Sequence, residues 1–357
     1  MPHGAATGEL ARVLIANRVG PSIARALRAR SQGSAEASEY SVAFVNAIQA
    51  DARAAAEGAL RAIPTLHAVA DALDGAGIGW MLWKGPALAM AVWGEPALRH
   101  FSDLDIVVAP SDRDRARVAL ETAGFRARGG LSSAQERAIH GGTAAFPLER
   151  GGEKLVELHW RFAGRQYPAC AEVGDVLSRS ETVTIAGRTV RMPGGADALL
   201  LLAVHATKHG WSQAEEVLSF ARLAARAPQA LADACDRAGR EGVLVPMRLA
   251  IRLVHDLLAV DLTVTGGCSA DDALTRRLAA ECLARMTAGA GNWRETHAWT
   301  LAWITRPGDR ARYLVRALLS PTPEEWKWVK LPDAAVALYP AVRFVRLAVR
   351  AGRRSGR

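Results

Sequence analysis

The sequence has little lysine, few cysteines and no long apolar run. Nearly all of its 45 basic residues are arginine, and only four residues are cysteine. Cys170, Cys235, Cys268 and Cys282 are too far apart to form a Cys-x-x-Cys metal hook, and a chain of 357 residues is too long for a small disulfide framework. They are expected as small buried apolar side chains in a reducing compartment. The longest apolar stretch, Ala198–Val204 (ALLLLAV), falls far short of a membrane span, so no transmembrane segment is expected. The opening MPHGAATGELARVLIANRVG shows no apolar block of signal-peptide length behind a basic start. These absences point to a cytoplasmic protein. A hydrophobic content of 50% against 23% charged residues is enough for a sizeable globular core.

Net charge is +9 and the pI about 9.9, which raises nucleic acid as a partner. The arginines are scattered rather than striped, however, and no aromatic–basic RNA-binding motif is present. Nucleic acid is therefore not the expected main partner. The exception to the scatter is the tail RFVRLAVRAGRRSGR. There Arg343, Arg346 and Arg350 recur at helical spacing with Phe344, Val345 and Leu347 between them. Such a tail suits a membrane surface, an acidic partner or simply a solvated helix end.

Periodicity divides the chain. Residues 1–30 read as a weakly helical lead-in ending in a loop at Ser31–Ser34, followed by a helical stretch up to Pro64. Pro64 is expected to start a new helix, Thr65–Leu73, stopped by Gly75–Gly79. WMLWKG reads as a short strand closing at Gly85, and Pro86 opens the helix Pro86–Val92. Strand Asp103–Val108 follows, then helix Arg113–Ala123 with Ser111 as its N-cap. Thr143–Glu149 and Lys154–Trp160 flank RGGE, a hairpin signal. Beyond Asp197 the pattern is almost wholly helical, with SPTPEEWKWVKLPD as a Pro-punctuated loop.

Three patterns carry chemistry. Asp103 and Asp105 lie two apart on a strand and so share a face, opposite Leu104 and Ile106. Two carboxylates aimed one way repel unless cations neutralise them, and Mg²⁺ is the natural hard cation. On this reading their removal should cost little folding stability and even relieve repulsion. Glu157 and His159 share a face of the strand KLVELHW. Glu157 would complete a triad of carboxylates or accept a proton, and His159 would orient it or contact substrate. In Lys84-Gly85-Pro86, glycine at a helix start lets backbone N–H groups approach a phosphate, with Lys84 adding charge. Each pattern also has a plain structural reading: a solvated turn, an exposed strand position and a tight turn. His205 and His209 in HATKH stand one turn apart, a spacing that suits zinc, but no third ligand is evident, and packed core histidines fit equally.

Taken in order, these features resemble the nucleotidyltransferase superfamily of DNA polymerase beta type. WKGPALAMAVWGEPALRHFSDLDIVV, VELHWRF, LLLLAVHATKHGW, SPTPEEWKWVKLP and LYPAVRFVRL look more closely like the bacterial uncharacterised nucleotidyltransferase family, over roughly residues 78 to 350. The resemblance implies an α+β fold: a small mixed β-sheet nucleotidyltransferase core flanked by helices, with a mostly α-helical C-terminal region. Together with the periodicity, it divides the chain into an N-terminal helical region at 1–77, the catalytic core at 78–165, a helical domain at 166–335 and a basic C-terminal helix at 336–357. It assigns Asp103, Asp105 and Glu157 as catalytic metal ligands for Mg²⁺, with Mn²⁺ as the alternative. Lys84, Gly85, Arg99, Lys208 and His209 fall to nucleotide and phosphate binding, with Arg99 meeting a phosphate or locking Asp103, and His159 and His205 face the acceptor.

Two departures stand out. Pro86 replaces the superfamily's usual serine, and Ser219 stands where the family commonly has aspartate. The implied reaction is NTP-dependent transfer of an NMP, from ATP first of all, to an unidentified acceptor. The competing reading is a non-catalytic nucleotide-binding or scaffolding protein on the same fold.

Overall fold

The computed structural model describes residues 3–33, 40–128, 144–168, 170–263, 266–288, 296–321 and 323–355. Its centre is a five-stranded mixed sheet: β1 (Trp80–Trp83), β2 (Asp103–Val108), β3 (Arg126–Ala127), β4 (Ala145–Glu149) and β5 (Leu155–His159), in the order β1-β2-β5-β4-β3. Among the described strands only the β2–β5 pair is parallel. The architecture is α+β, as expected.

Strand alternation gives the sheet two different faces. Leu104, Ile106 and Val108 of β2 and Val156 and Leu158 of β5 point to one side, into a core with Leu66, Val69, Leu73 and Leu120. Those partners come from α3 (Val42–Gly75) and α5 (Arg113–Thr122). The opposite face carries Asp103, Asp105, Glu157 and His159. Met81, Trp83 and Val107 on that face join a second, larger core shared with the helical region. That region comprises α7 (Gly195–Lys208), α8 (Ala214–Arg226), α9 (Pro228–Glu241), α10 (Leu244–Leu258), α11 (Ala273–Thr287) and α12 (His297–Trp303). Polar side chains on an internal sheet face are thus set against the helices, where a site can be enclosed.

Upstream, α1 (His3–Ala16) and α2 (Gly20–Gly33) precede α3, and the chain leaving α1 is tied into the molecule. The buried Asn17 accepts from the Ala214 N–H through Oδ1 and donates to the Met286 carbonyl through Nδ2, capping α8 and holding α11.

Several expectations need correction. Pro64 does not start a helix: α3 runs through it for 34 residues. The carbonyl left without its N–H partner belongs to Leu60, and both Leu60 and Pro64 are exposed, so water can replace the lost bond. Residues 31–33 belong to α2, and Thr143 lies outside the described residues. The residue before α5 is Asp112, not Ser111, and it makes no side-chain cap. PEEWKW is helix α14 (Pro323–Trp328), because proline is well placed at a helix start. A hairpin passed over in the sequence follows α6 (Val173–Ser178) and joins β6 (Glu181–Ile185) to β7 (Arg188–Met192) through a tight turn at Ala186-Gly187. Both turn residues have positive φ, +49° and +78°. Finally, Cys235 and Cys268 form a disulfide, with Cα atoms 5.7 Å apart, because the short turn Gly266–Cys268 packs against α9. Only Cys170 and Cys282 are the buried free thiols expected of all four.

Candidate active site

The register of three strands assembles the site. Asp105 sits directly opposite Glu157 on parallel β5 and opposite Trp83 on antiparallel β1. The next residue after Trp83 is Lys84, and its Nζ lies 3.2 Å from Asp105 Oδ1. Lys84 holds an unusual backbone conformation, φ +63° and ψ −145°, and is followed by Gly85 at φ +48°. A non-glycine residue in that region costs about 1–3 kcal/mol. The strained turn swings the chain off the sheet into α4 (Gly85–Trp93) and keeps the ammonium over the Trp83 ring, 4.4 Å from its centroid.

His159 links the carboxylates. Its Nε2 is 2.9 Å from Asp105 Oδ1 and 3.3 Å from Glu157 Oε2, while its buried Nδ1 has no partner among the described residues. Asp105, Glu157 and His159 each offer one donor atom, all within 4.8 Å of one another. Asp103 stands outside this tight group but within electrostatic reach of Asp105 and Glu157.

Charge settles into a definite pattern. Burial alone would raise the Asp105 carboxyl, but the Lys84 ammonium and the His159 hydrogen bond outweigh it and hold the pKa at about 2. Burial works against a charged His159, yet its bonds to Asp105 and Glu157 raise its pKa above the usual value. The His159 bond lowers Glu157 against the pull of burial. Asp103 is raised, first by burial and then by the neighbouring Asp105 charge. The two aspartates are therefore unequal. Asp105 is not a repelled anion but a neutralised one, so its removal should weaken the apo fold rather than relieve it. Only Asp103 behaves as the sequence reading supposed.

The end of α7 closes the other side. His205 Nε2 lies 3.4 Å from Lys84 Nζ, its ring packs edge-on to Trp83 at 5.3 Å, and its centroid is 4.6 Å from that of His209. Burial and then Lys84 drive the His205 pKa well down, and burial followed by Lys208 lowers His209. Both rings are neutral at pH 7. Among the described residues no carboxylate or thiol joins them as a metal site. Lys208 leans over the Tyr167 ring, 5.8 Å from its centroid.

Arg99 goes elsewhere. Its Nε donates to Glu215 Oε1 of α8 at 2.9 Å, and both side chains are nearly buried. The Ser219 hydroxyl donates to the same oxygen. On α8 the carboxylate thus comes from Glu215, one turn before the serine that departs from the family pattern. Beside it, Glu216 is buried with Oε2 unpartnered among the described residues, and burial followed by the Glu215 charge lifts its pKa to about 8. A carboxyl raised in the fold loses stability as pH climbs above the unfolded value near 4.5, until it is ionised in both states near 8. Glu216→Gln should therefore gain on the wild type by about 1.4 kcal/mol per pH unit at most across that window, then plateau. Denaturant melts from pH 5 to pH 9 check this, and a gap that stays flat with pH contradicts it.

Trp83 and Glu215 were not singled out from the sequence. Trp83 packs edge-on against His159, Phe162 and His205 and forms the floor of the site. Its place just before Lys84, on the same strand face as Met81, was the available signal.

A sequence model of the uncharacterised nucleotidyltransferase family matches residues 3–259. The chain belongs to the uncharacterised nucleotidyltransferase family. No curated protein matches it significantly. Among solved structures it is similar to the antibiotic-resistance factor ANT(2'')-Ia in solution, at 16% identity over 49% of this chain and 90% of that one, with a TM-score of 0.37. It is also similar to ANT(2'')-Ia in complex with adenylyl-2''-tobramycin, at 17% identity over 50% and 97%, again with a TM-score of 0.37.

Proposed function

We propose that this nucleotidyltransferase family member transfers a nucleoside monophosphate from an NTP, with ATP the first to test, to an acceptor hydroxyl or phosphate. The acceptor oxygen attacks the α-phosphorus, the bond from that phosphorus to the bridging oxygen breaks, and pyrophosphate leaves with the electron pair. The supporting observation is the in-register meeting of Asp105 and Glu157 across parallel strands, with their donor atoms and that of His159 inside 4.8 Å.

An oxygen-rich set of Asp103, Asp105 and Glu157 suits a hard divalent cation, Mg²⁺ or Mn²⁺. Such an ion, when bound, neutralises phosphate charge and orients the reacting oxygens. The chain's own residues do the rest. Lys84 and His159 keep Asp105 ionised at neutral pH, so the anionic ligand needs no deprotonation. The N-terminus of α4, with Gly85 and Lys84, sets positive potential beside the carboxylates. Lys208 and His209 extend the nucleotide side, and neutral His205 faces the acceptor. Glu157, about one-third exposed, takes the acceptor's proton in this reading. Arg99 positions α8 through Glu215 rather than meeting phosphate.

Incubating the protein with each of four α-labelled NTPs and Mg²⁺ or Mn²⁺ tests this, reading label transferred to the protein or to an extract component. Transfer is expected with at least one NTP, and Glu157→Gln should lower it by about 100-fold or more. Absence of both transfer and NTP binding would favour the scaffolding alternative.

A further inference from the structure

The C-terminal helices carry a feature that the transferase reading leaves unused. From Arg306 to Arg357 the sequence has twelve basic and four acidic residues, a net +8 out of the chain's +9. The other 305 residues are nearly neutral, so the excess charge belongs to the last part of the chain.

That end is built with its apolar side outward. Helix α15 (Tyr339–Ser355) is fastened at its start by buried Tyr339, whose hydroxyl donates to the Val329 carbonyl and accepts from the Leu331 N–H. Its arginine side is turned toward the protein. Arg346 Nε donates to Glu325 Oε1 at 2.6 Å, Arg343 lies 3.5 Å from the same fully buried carboxylate, and Arg343 also donates to the Ala317 carbonyl. The other side therefore faces out: Phe344 is 59% exposed, Val345 51% and Val349 43%. The neighbouring α13 (Pro307–Leu319) does the same with Val315, Leu318 and Leu319. Two adjacent helices exposing large apolar side chains exceed the scattered exposure normal for a protein surface.

We infer that this face docks on an anionic lipid surface, with α15 lying in the plane of the interface. Apolar side chains enter the headgroup boundary, while the local +8 charge, including exposed Arg310, Lys327 and Lys330, draws the face to anionic headgroups. Trp328, exposed between the two lysines, suits the same boundary. The attachment is peripheral: among the described residues no helix is long and apolar enough to cross a membrane. A second copy of the chain fits less well, because it would press two strongly basic ends together. Nucleic acid would satisfy the charge but leave the valines and leucines uncovered.

The test is flotation of the full chain with phosphatidylcholine vesicles, with and without about one-third phosphatidylglycerol, at about 0.1 M salt. Binding is expected to the anionic vesicles, at least about tenfold weaker to the neutral ones, and to fade as salt rises. The triple variant F344Q/V345Q/V349Q keeps the charge and the fold, since all three side chains are exposed, and should lose about tenfold or more in vesicle binding. The inference is overturned if the wild type ignores anionic vesicles or if the triple variant binds them as well as the wild type does. It is also overturned if the wild type is a dimer that this variant splits, or if short RNA binds tightly with equal affinity to both proteins and blocks the vesicles.

Discussion

Asparagine at position 105 is expected to reduce NMP transfer on the order of 10³-fold and to destabilise the metal-free protein as well. The two losses have different causes. The first removes the carboxylate at the centre of the proposed cation site. The second follows from the neighbours: Asp105 is 2% exposed and is the anion that Lys84 and His159 share. Taking it away leaves a nearly buried ammonium, 15% exposed, without its carboxylate. One-sided removal from a buried pair costs about 3–5 kcal/mol, and the residual exposure of Lys84 brings the expected loss to about 2–3 kcal/mol. Asp103→Asn separates the two effects. Its carboxyl is raised by burial and by the Asp105 charge, so ionising it costs stability above the ordinary carboxylate range. The D103N protein should lose transfer yet melt at the same temperature as the wild type, or higher, at pH 7 without metal. Equal melting shifts for D103N and D105N would contradict the charge assignment.

The second large effect concerns Arg99. Arg99→Ala should destabilise the fold by about 3–5 kcal/mol, because Glu215 is 3% exposed and Glu216 is buried beside it. Glu215 would keep only the Ser219 hydroxyl of these two partners, beside a second buried carboxyl. Combining Arg99→Ala with Glu215→Gln should recover much of that loss, and urea melts of the four-protein cycle measure the coupling. If Arg99 instead served a phosphate, the single variant would keep its stability and lose only nucleotide affinity. The pair would then show no coupling in the free protein.

What could be read in advance follows the range of the interactions. The period-two pattern of Asp103/Asp105 and of Glu157/His159 is local, and so are the glycine after β1 and the RGGE turn. Together they were enough to give the mixed sheet and the common face of the acidic residues. Register across β2 and β5 joins residues some fifty positions apart, and only the fold brings Asp105 opposite Glu157. The partners of the cations are farther still: Lys84 meets His205 across 121 positions and Arg99 meets Glu215 across 116. No spacing rule encodes such contacts, so the sequence left Arg99 between a phosphate and Asp103 and treated Asp105 as unpaired. Pro64 was misplaced for another reason. A helix tolerates an internal proline better where water can reach the freed carbonyl, and exposure is a tertiary property. The Cys235–Cys268 disulfide likewise depends on how one short turn packs on α9. The β6–β7 hairpin, by contrast, was legible: Val183 and Ile185 alternate toward an Ala-Gly turn, with Val190 and Met192 returning.

In the proposed reaction Asp105 and Glu157 form one cation cradle. A crystal grown with Mn²⁺ and a non-hydrolysable NTP analogue, with data collected at the manganese edge, tests it most directly. The prediction is an anomalous peak between β2 and β5 at coordination distance from both carboxylates, about 2.0–2.3 Å, with the triphosphate against the start of α4. Manganese bound away from both side chains, with Lys84 and His159 still on Asp105, would contradict it.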